Sequence, residues 1–244
     1  MSIPNPLQQV SAHRRRTLLI AALAVGIVLI AWNVPALDFA MYPLRLFVTF
    51  VHESGHGLAA LLSGGQFRTL AVMADGSGVA TTAGGARALI LPAGYLGAAL
   101  FGAGLFVAAN LVRRVRWVSA GLAALLVAFT LLYTPLLSTG FLVGLGFAAL
   151  LGALAWKANA DVNRLVLMAL ALLVSLNAIF DLTSLVANSG ASMGAVRNDA
   201  AAFSAEIVPL IPGALWAVCW SGIAILLLVG AIYYGLVRPL RRGG

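Results

Sequence analysis

Residues 43–62 read PLRLFVTFVHESGHGLAALL, an apolar run interrupted by Arg45, His52, Glu53 and His56. About 20 mostly apolar residues cross the roughly 30 Å of membrane hydrocarbon, so this run is long enough to span. Six further runs share its character: residues 17–34, 88–109, 117–137, 138–156, 165–187 and 213–237. Little polar sequence separates the fourth and fifth of the seven runs, which could also be merged. The pattern predicts a single-domain, all-α polytopic membrane protein (residues 1–244) with about seven transmembrane helices.

The composition excludes several classes of protein. Hydrophobic residues make up 62% of the 244-residue chain and charged residues 9%, whereas a soluble domain is usually about a quarter charged. Soluble enzymes and disordered proteins are therefore excluded, and the single cysteine excludes an internal disulfide. The net charge of +8 comes from short basic clusters beside the apolar runs, which is typical of span-flanking anchors, so nucleic-acid binding is not expected. No convincing cleavage site follows the first run, so we interpret it as a retained span rather than a signal peptide.

Residues 66–85 read QFRTLAVMADGSGVATTAGG and break the helical pattern. Strand-forming residues fill 67–73 and 77–82, and Asp75-Gly76 between them is a turn signal. These features predict a β-hairpin after the second span, at the membrane surface or in a protein-lined cavity. A second irregular stretch, residues 188–212, is predicted to be a loop with one short helix around Asp199–Glu206. Gly94, Ala98 and Gly102 are spaced four apart, and we interpret them as a helix-packing stripe rather than a site.

The second run carries the motif His52-Glu53-x-x-His56, which uses two of the 3 histidines in the chain. Residues four apart lie on one face of a helix, so both imidazoles can reach one metal ion. Glu53 is rotated by about 100° and can take a proton from a water that zinc has made acidic. Ionisable groups inside a span are costly and usually mark a functional site. The alternative is a histidine pair satisfied by hydrogen bonds between helices.

A catalytic zinc usually has three protein ligands, so a third ligand is expected. Asp181 lies within the apolar run of residues 165–187, and Asn177 is one turn earlier on the same face. With seven spans, Asp181 and His56 lie at the same estimated depth, about 9 Å from one membrane face. We therefore predict Asp181 as the third ligand, oriented by Asn177, which could also polarise a substrate carbonyl. Asp199 is the second candidate, and Asp181 could instead be a helix cap or a structural partner of Asn177.

These motifs resemble the site-2 protease family of intramembrane zinc metalloproteases, most closely its compact bacterial, M50B-like branch. The resemblance rests on the histidine motif inside a span, the glycine-rich hairpin and three further segments: residues 92–97 (PAGYLG), Asn177 with Asp181, and residues 198–200 (NDA) with Pro209, Pro212 and Trp216 beyond. It implies His52, His56 and Asp181 as zinc ligands, Glu53 as general base, and a hairpin strand that pairs with an unwound substrate. The better-known members have an Asp-Gly pair at the third ligand, whereas Leu182 follows Asp181 here.

The resemblance implies regulated proteolysis of a membrane-protein substrate, with this chain in the lipid bilayer of a bacterial cytoplasmic membrane. A non-proteolytic transporter or scaffold that kept a metal site is the alternative, although such a protein would not need Glu53. A zinc transporter ranks last, because it would need histidines and acids along the whole path across the membrane. The resemblance favours a cytosolic N-terminus, whereas the distribution of positive charges favours the opposite orientation.

Overall fold

The computed structural model describes residues 6–187 and 198–242. Its ten α-helices are α1 (Pro6–Asn33), α2 (Asp38–Leu62), α3 (Arg87–Ile90), α4 (Ala93–Leu111), α5 (Arg116–Tyr133), α6 (Thr139–Lys157), α7 (Ala160–Ala187), α8 (Asp199–Glu206), α9 (Gly213–Ile232) and α10 (Arg238–Arg242). A 3₁₀ turn (Pro35–Leu37) separates α1 from α2, and a π-helical turn (Tyr233–Val237) joins α9 to α10. Two strands, β1 (Gln66–Val72) and β2 (Gly78–Ala83), follow α2.

Five helices are long and apolar enough to cross a membrane by themselves: α4, α5, α6, α7 and α9 with the turn that follows it. Helices α1 and α2 pass the same test only as a pair bent by 96°, which is either a broken span or a re-entrant loop. The expected count of about seven crossings is therefore not confirmed, because the described residues hold five candidate spans, or six with the bent pair. Helices α5 and α6 are separate, and the Ser138 hydroxyl caps α6 by accepting from the Phe141 N–H at 3.2 Å.

Strands β1 and β2 form an antiparallel hairpin in which Leu70 is opposite Ala80. The turn between them is closed by Asp75, whose carboxylate accepts from the Ser77 N–H at 2.9 Å and from the Ser77 hydroxyl at 2.6 Å. Gly76 adopts φ 92°, which a side chain would disfavour. The local turn chemistry of Asp75 and Gly76 thus determines where the chain reverses.

The hairpin packs along α2. At one end, a Cβ on Gly57 would lie 2.2 Å from the Phe67 ring, so only glycine lets β1 approach this closely. At the other end, the Thr49 hydroxyl donates to the Gly76 carbonyl at 2.8 Å. The Tyr42 hydroxyl donates to the Ala74 carbonyl at 2.7 Å. These contacts fix the hairpin against the helix that carries the histidine motif.

Helices α4 and α7 pack closely at the centre of the bundle. A Cβ on Gly102 would lie 2.2 Å from the Ser175 hydroxyl oxygen, so the small residue permits close approach of the two backbones. Ala98, Ala103 and Ala171 are buried in the same core. Helix α1 is held to α7 by an ion pair between Arg16 and Asp161.

Candidate metal centre

Both histidines of the motif lie on α2, one turn apart. Their Nε2 atoms are 3.1 Å apart, with His56 buried and His52 partly buried. The His56 Nδ1 lies 2.7 Å from the Ile90 carbonyl oxygen, which can only accept, so this nitrogen carries the proton. In the neutral ring, the Nε2 of His56 therefore carries the lone pair that a metal ligand requires.

The structure brings Asp199 to these two nitrogens. Its Oδ2 lies 3.3 Å from the Nε2 of His52 and 3.3 Å from the Nε2 of His56. Burial alone would raise the pKa of Asp199, but the hydrogen bonds and charges of His52 and His56 outweigh it and hold this pKa well below its usual value. Within the described residues, His52, His56 and Asp199 form the one group of three or more side chains that could hold a metal ion.

Asp199 is the first residue of α8, and three features keep this short helix in place. The Asn198 side chain caps it by accepting from the Ala201 N–H at 2.9 Å. Phe203 packs into a small hydrophobic cluster with Leu182 and Trp220. At the far end, Arg87 makes two hydrogen bonds of 2.9 Å to the Glu206 carboxylate. Helix α8 is thereby tied to α3, α7 and α9.

Asp181, the residue predicted for this position, lies outside the group. Its carboxylate accepts from the Asn177 side chain at 2.6 Å, and the residue is exposed. The next residue, Leu182, is fully buried in the cluster around α8. Successive helix residues point about 100° apart, so Asp181 faces another direction. In the structure, Asp199 rather than Asp181 therefore lies against the two histidines, and Asn177 contacts Asp181.

Gly94 was assigned to helix packing, but it contributes to the site. A Cβ on Gly94 would lie 2.3 Å from the Nε2 of His52 and 2.4 Å from the Nε2 of His56. The absent side chain therefore leaves open the space in front of both donor atoms. The neighbouring Tyr95, which the sequence reasoning did not single out as a site residue, packs edge-on against the His52 ring at 4.5 Å between centroids. The sequence signal that could have identified both residues is their position in segment 92–97, one of the segments that carry the family resemblance.

Glu53 lies between the histidines and the hairpin and is 6% exposed. Its side chain fills the space beside Gly78, where a Cβ would lie 2.6 Å from the Glu53 Oε1. The carboxylate also accepts a hydrogen bond from the backbone N–H of Ala80 on β2. Glu53 is thus positioned by the hairpin, and it does not belong to the candidate ligand group of His52, His56 and Asp199.

The donor set fits zinc. Tetrahedral zinc has ligand atoms at about 2.0–2.2 Å, so two such atoms lie about 3.3 Å apart. The separations here are 3.1, 3.3 and 3.3 Å, and the two nitrogens and one oxygen are donor types that zinc accepts. Gly94 keeps the space in front of the nitrogens free of side-chain atoms. The site can therefore hold one ion and leave a position open.

Comparison with protein-family models identifies the family of this chain. The family model described as Peptidase M50B-like matches residues 20–231, which is most of the chain. Comparison with the curated proteins and with the solved structures gave no match. With its apolar helices and this extended match, the chain is an integral membrane protein that belongs to the Peptidase M50B-like family of metallopeptidases.

Proposed function

We propose that this protein is an intramembrane zinc metalloprotease of the site-2 protease type. It hydrolyses peptide bonds of membrane-embedded or membrane-adjacent protein segments, as part of regulated proteolysis in a bacterial cytoplasmic membrane. The observation that carries the proposal is the triangle of His52, His56 and Asp199 donor atoms with Glu53 buried beside it. The family match supports the same chemistry.

Each residue of the centre has a distinct role in this proposal. His52, His56 and Asp199 would hold zinc, which would polarise the scissile carbonyl and make the attacking water more acidic. Glu53 is the general base that takes a proton from this water, and the Ala80 N–H orients its carboxylate. The Ile90 carbonyl fixes the ring of His56. Tyr95 packs against the ring of His52 and limits its rotation.

The hairpin offers an edge for the substrate. The Ala80 N–H points to Glu53 and therefore away from β1. Because N–H directions alternate along a strand, the N–H groups of Gly78 and Thr82 also point outward from β2. An extended substrate segment that pairs with this edge would pass beside Glu53, which is the β-augmentation mode of peptide recognition. The substrate is accordingly a membrane protein whose helix unwinds near the cleavage point.

Glu53→Gln tests the proposed function. The amide keeps the size of the side chain and leaves the three ligands untouched, so zinc content should equal that of the natural protein. Cleavage of single-span membrane-protein segments, followed by mass spectrometry of the products, should fall by about 10²–10⁴-fold. Asp38→Asn makes the same change at an exposed ion pair with Arg45 and should keep full activity.

Undiminished cleavage by the Glu53→Gln protein would refute the general-base role. A natural protein that holds zinc but cleaves no member of a broad set of such segments would favour the transporter or scaffold alternative instead.

A further inference from the structure

A groove lies between α1 and the end of α9, and the metal centre makes no use of it. On one wall are the small residues Ala21, Ala22 and Gly26 of α1, and on the other are Phe106, Ile232 and Leu236. The groove is lined by apolar side chains and has a volume of about 440 Å³. This volume lies within the range of small-molecule sites, about 300–1,000 Å³.

The surroundings of the groove indicate what can occupy it. Since α1 belongs to a membrane-embedded segment, the apolar medium next to the groove is lipid, and the apolar lining of the groove suits an acyl chain.

One end of the groove is positively charged. Leu18 of α1 and Leu236 line the groove at this end. Arg15 and Arg16 precede Leu18 by two or three residues, about 3–5 Å along the helix, and Arg238 and Arg241 follow Leu236 on α10. Asp161 pairs with Arg16, whereas Arg15 and Arg241 have no carboxylate partner within residues 6–187 and 198–242.

The aromatic residues next to Leu236 set the depth of this end. Tyr233 and Tyr234 are exposed on the turn after α9, with the Arg238 guanidinium 5.5 Å from the Tyr234 ring centroid. Exposed tyrosines beside arginines are typical of the membrane–water interface, where the lipid headgroups lie. From here the groove extends about 12 Å along α1, from Leu18 to Gly26, into the hydrocarbon region.

We propose that this groove is a binding site for one anionic phospholipid. An acyl chain fills the space over Ala22 and Gly26, and the phosphate lies among Arg15, Arg238 and Arg241. The site is independent of the zinc chemistry, so it stands or falls separately from the proteolytic function.

Native mass spectrometry of the full-length protein tests the site, with phosphatidylglycerol and phosphatidylcholine as probes. A Cβ on Gly26 meets no atom within 4 Å, so Gly26→Leu can project its side chain into the groove. Gly222 on α9 faces equally open space outside the groove, so Gly222→Leu is the matched control. The natural protein and Gly222→Leu should retain one phosphatidylglycerol, and Gly26→Leu should retain none.

The headgroup contacts are tested by a double variant, Arg15→Gln with Arg241→Gln. An arginine near an anionic lipid surface is worth about a five-fold change in affinity, so this variant should bind phosphatidylglycerol markedly more weakly. The same change at Arg113 and Arg114, on the turn before α5, should have no effect. The proposal would be overturned if Gly26→Leu retained phosphatidylglycerol, or if the natural protein retained phosphatidylcholine equally well. It would also be overturned if the two double arginine variants bound phosphatidylglycerol with equal affinity.

Discussion

At the scale of single residues, the third ligand is the point on which sequence and structure differ. Asp199 lies 3.3 Å from both histidine nitrogens, whereas Asp181 is hydrogen-bonded to Asn177 and is exposed. Asp181 is still close enough to interact electrostatically with His52, so the test of the third ligand compares the zinc affinity of variants at Asp199 and at Asp181.

Asp199→Ala should weaken zinc binding by more than about 100-fold, because it removes a ligand, and loss of a supporting contact alone costs 10–100-fold. Asp181→Ala should leave zinc affinity within a few-fold of the natural value. Competition with a chromogenic chelator measures both affinities. If Asp181→Ala lost zinc and Asp199→Ala kept it, the ligand assignment made here would be wrong.

Gly94 carries a second prediction at this scale. A Cβ closer than 3.0 Å to another atom forces something to move, and in Gly94→Ala the nearest atoms are the two ligand nitrogens. The substitution should therefore lower zinc affinity at least about tenfold, while the helical content seen by circular dichroism stays constant. Gly104→Ala is the matched control on the same helix, since a Cβ there meets nothing within 4 Å. Equal zinc affinity in the two variants would show that Gly94 does not shape the site.

The sequence predicts those features of the site that depend on local helical spacing, but not those that depend on how distant helices pack together. The pairing of His52 with His56 follows from helical spacing alone, and α8 begins and ends at the expected residues, Asp199 and Glu206. The choice between Asp181 and Asp199 depends on how α8 packs against α2, 147 residues away, which no local pattern encodes. Gly94 was overlooked because a stripe of small residues is already explained by helix packing.

At the scale of elements, the hairpin connects the catalytic base to the substrate. Because the outward N–H groups of β2 lie on the side of Glu53, the strand can position both the base and an added substrate strand. Its short length and the anchoring of its turn to Thr49 hold this edge at a fixed place on α2.

Thr82→Pro tests this edge. Proline removes the outward N–H of Thr82 but none of the inward groups that pair with β1, so the hairpin should persist. Cleavage should fall at least about tenfold while zinc content stays unchanged. Thr82→Ala is the control, because it removes the side chain and keeps the N–H, and it should remain active. Full activity of Thr82→Pro would argue against strand pairing as the mode of substrate binding.

At the scale of the whole molecule, the metal would link parts of the chain that are distant in sequence. Helix α2 supplies two ligands and α8 the third, and α8 is otherwise held by one small hydrophobic cluster and the Arg87–Glu206 ion pair. That ion pair joins α8 to α3 and, being exposed, contributes at most about 1 kcal/mol, whereas bound zinc would connect α8 directly to α2.

Zinc removal should therefore lower the thermal stability of the whole bundle. A ligand at 100 times its Kd stabilises the folded state by about 2.7 kcal/mol, and each kcal/mol shifts Tm by roughly 2–4 °C in a chain of this size. Chelation should then lower the Tm of the natural protein by roughly 5–10 °C, and added zinc should restore it.

Asp181→Ala should respond to the chelator in the same way, because its three ligands are intact. Asp199→Ala should unfold at the lower temperature with or without chelator, since it binds little zinc. A Tm of the natural protein that does not change on chelation, despite verified loss of zinc, would show that the metal does not hold α8 to the bundle.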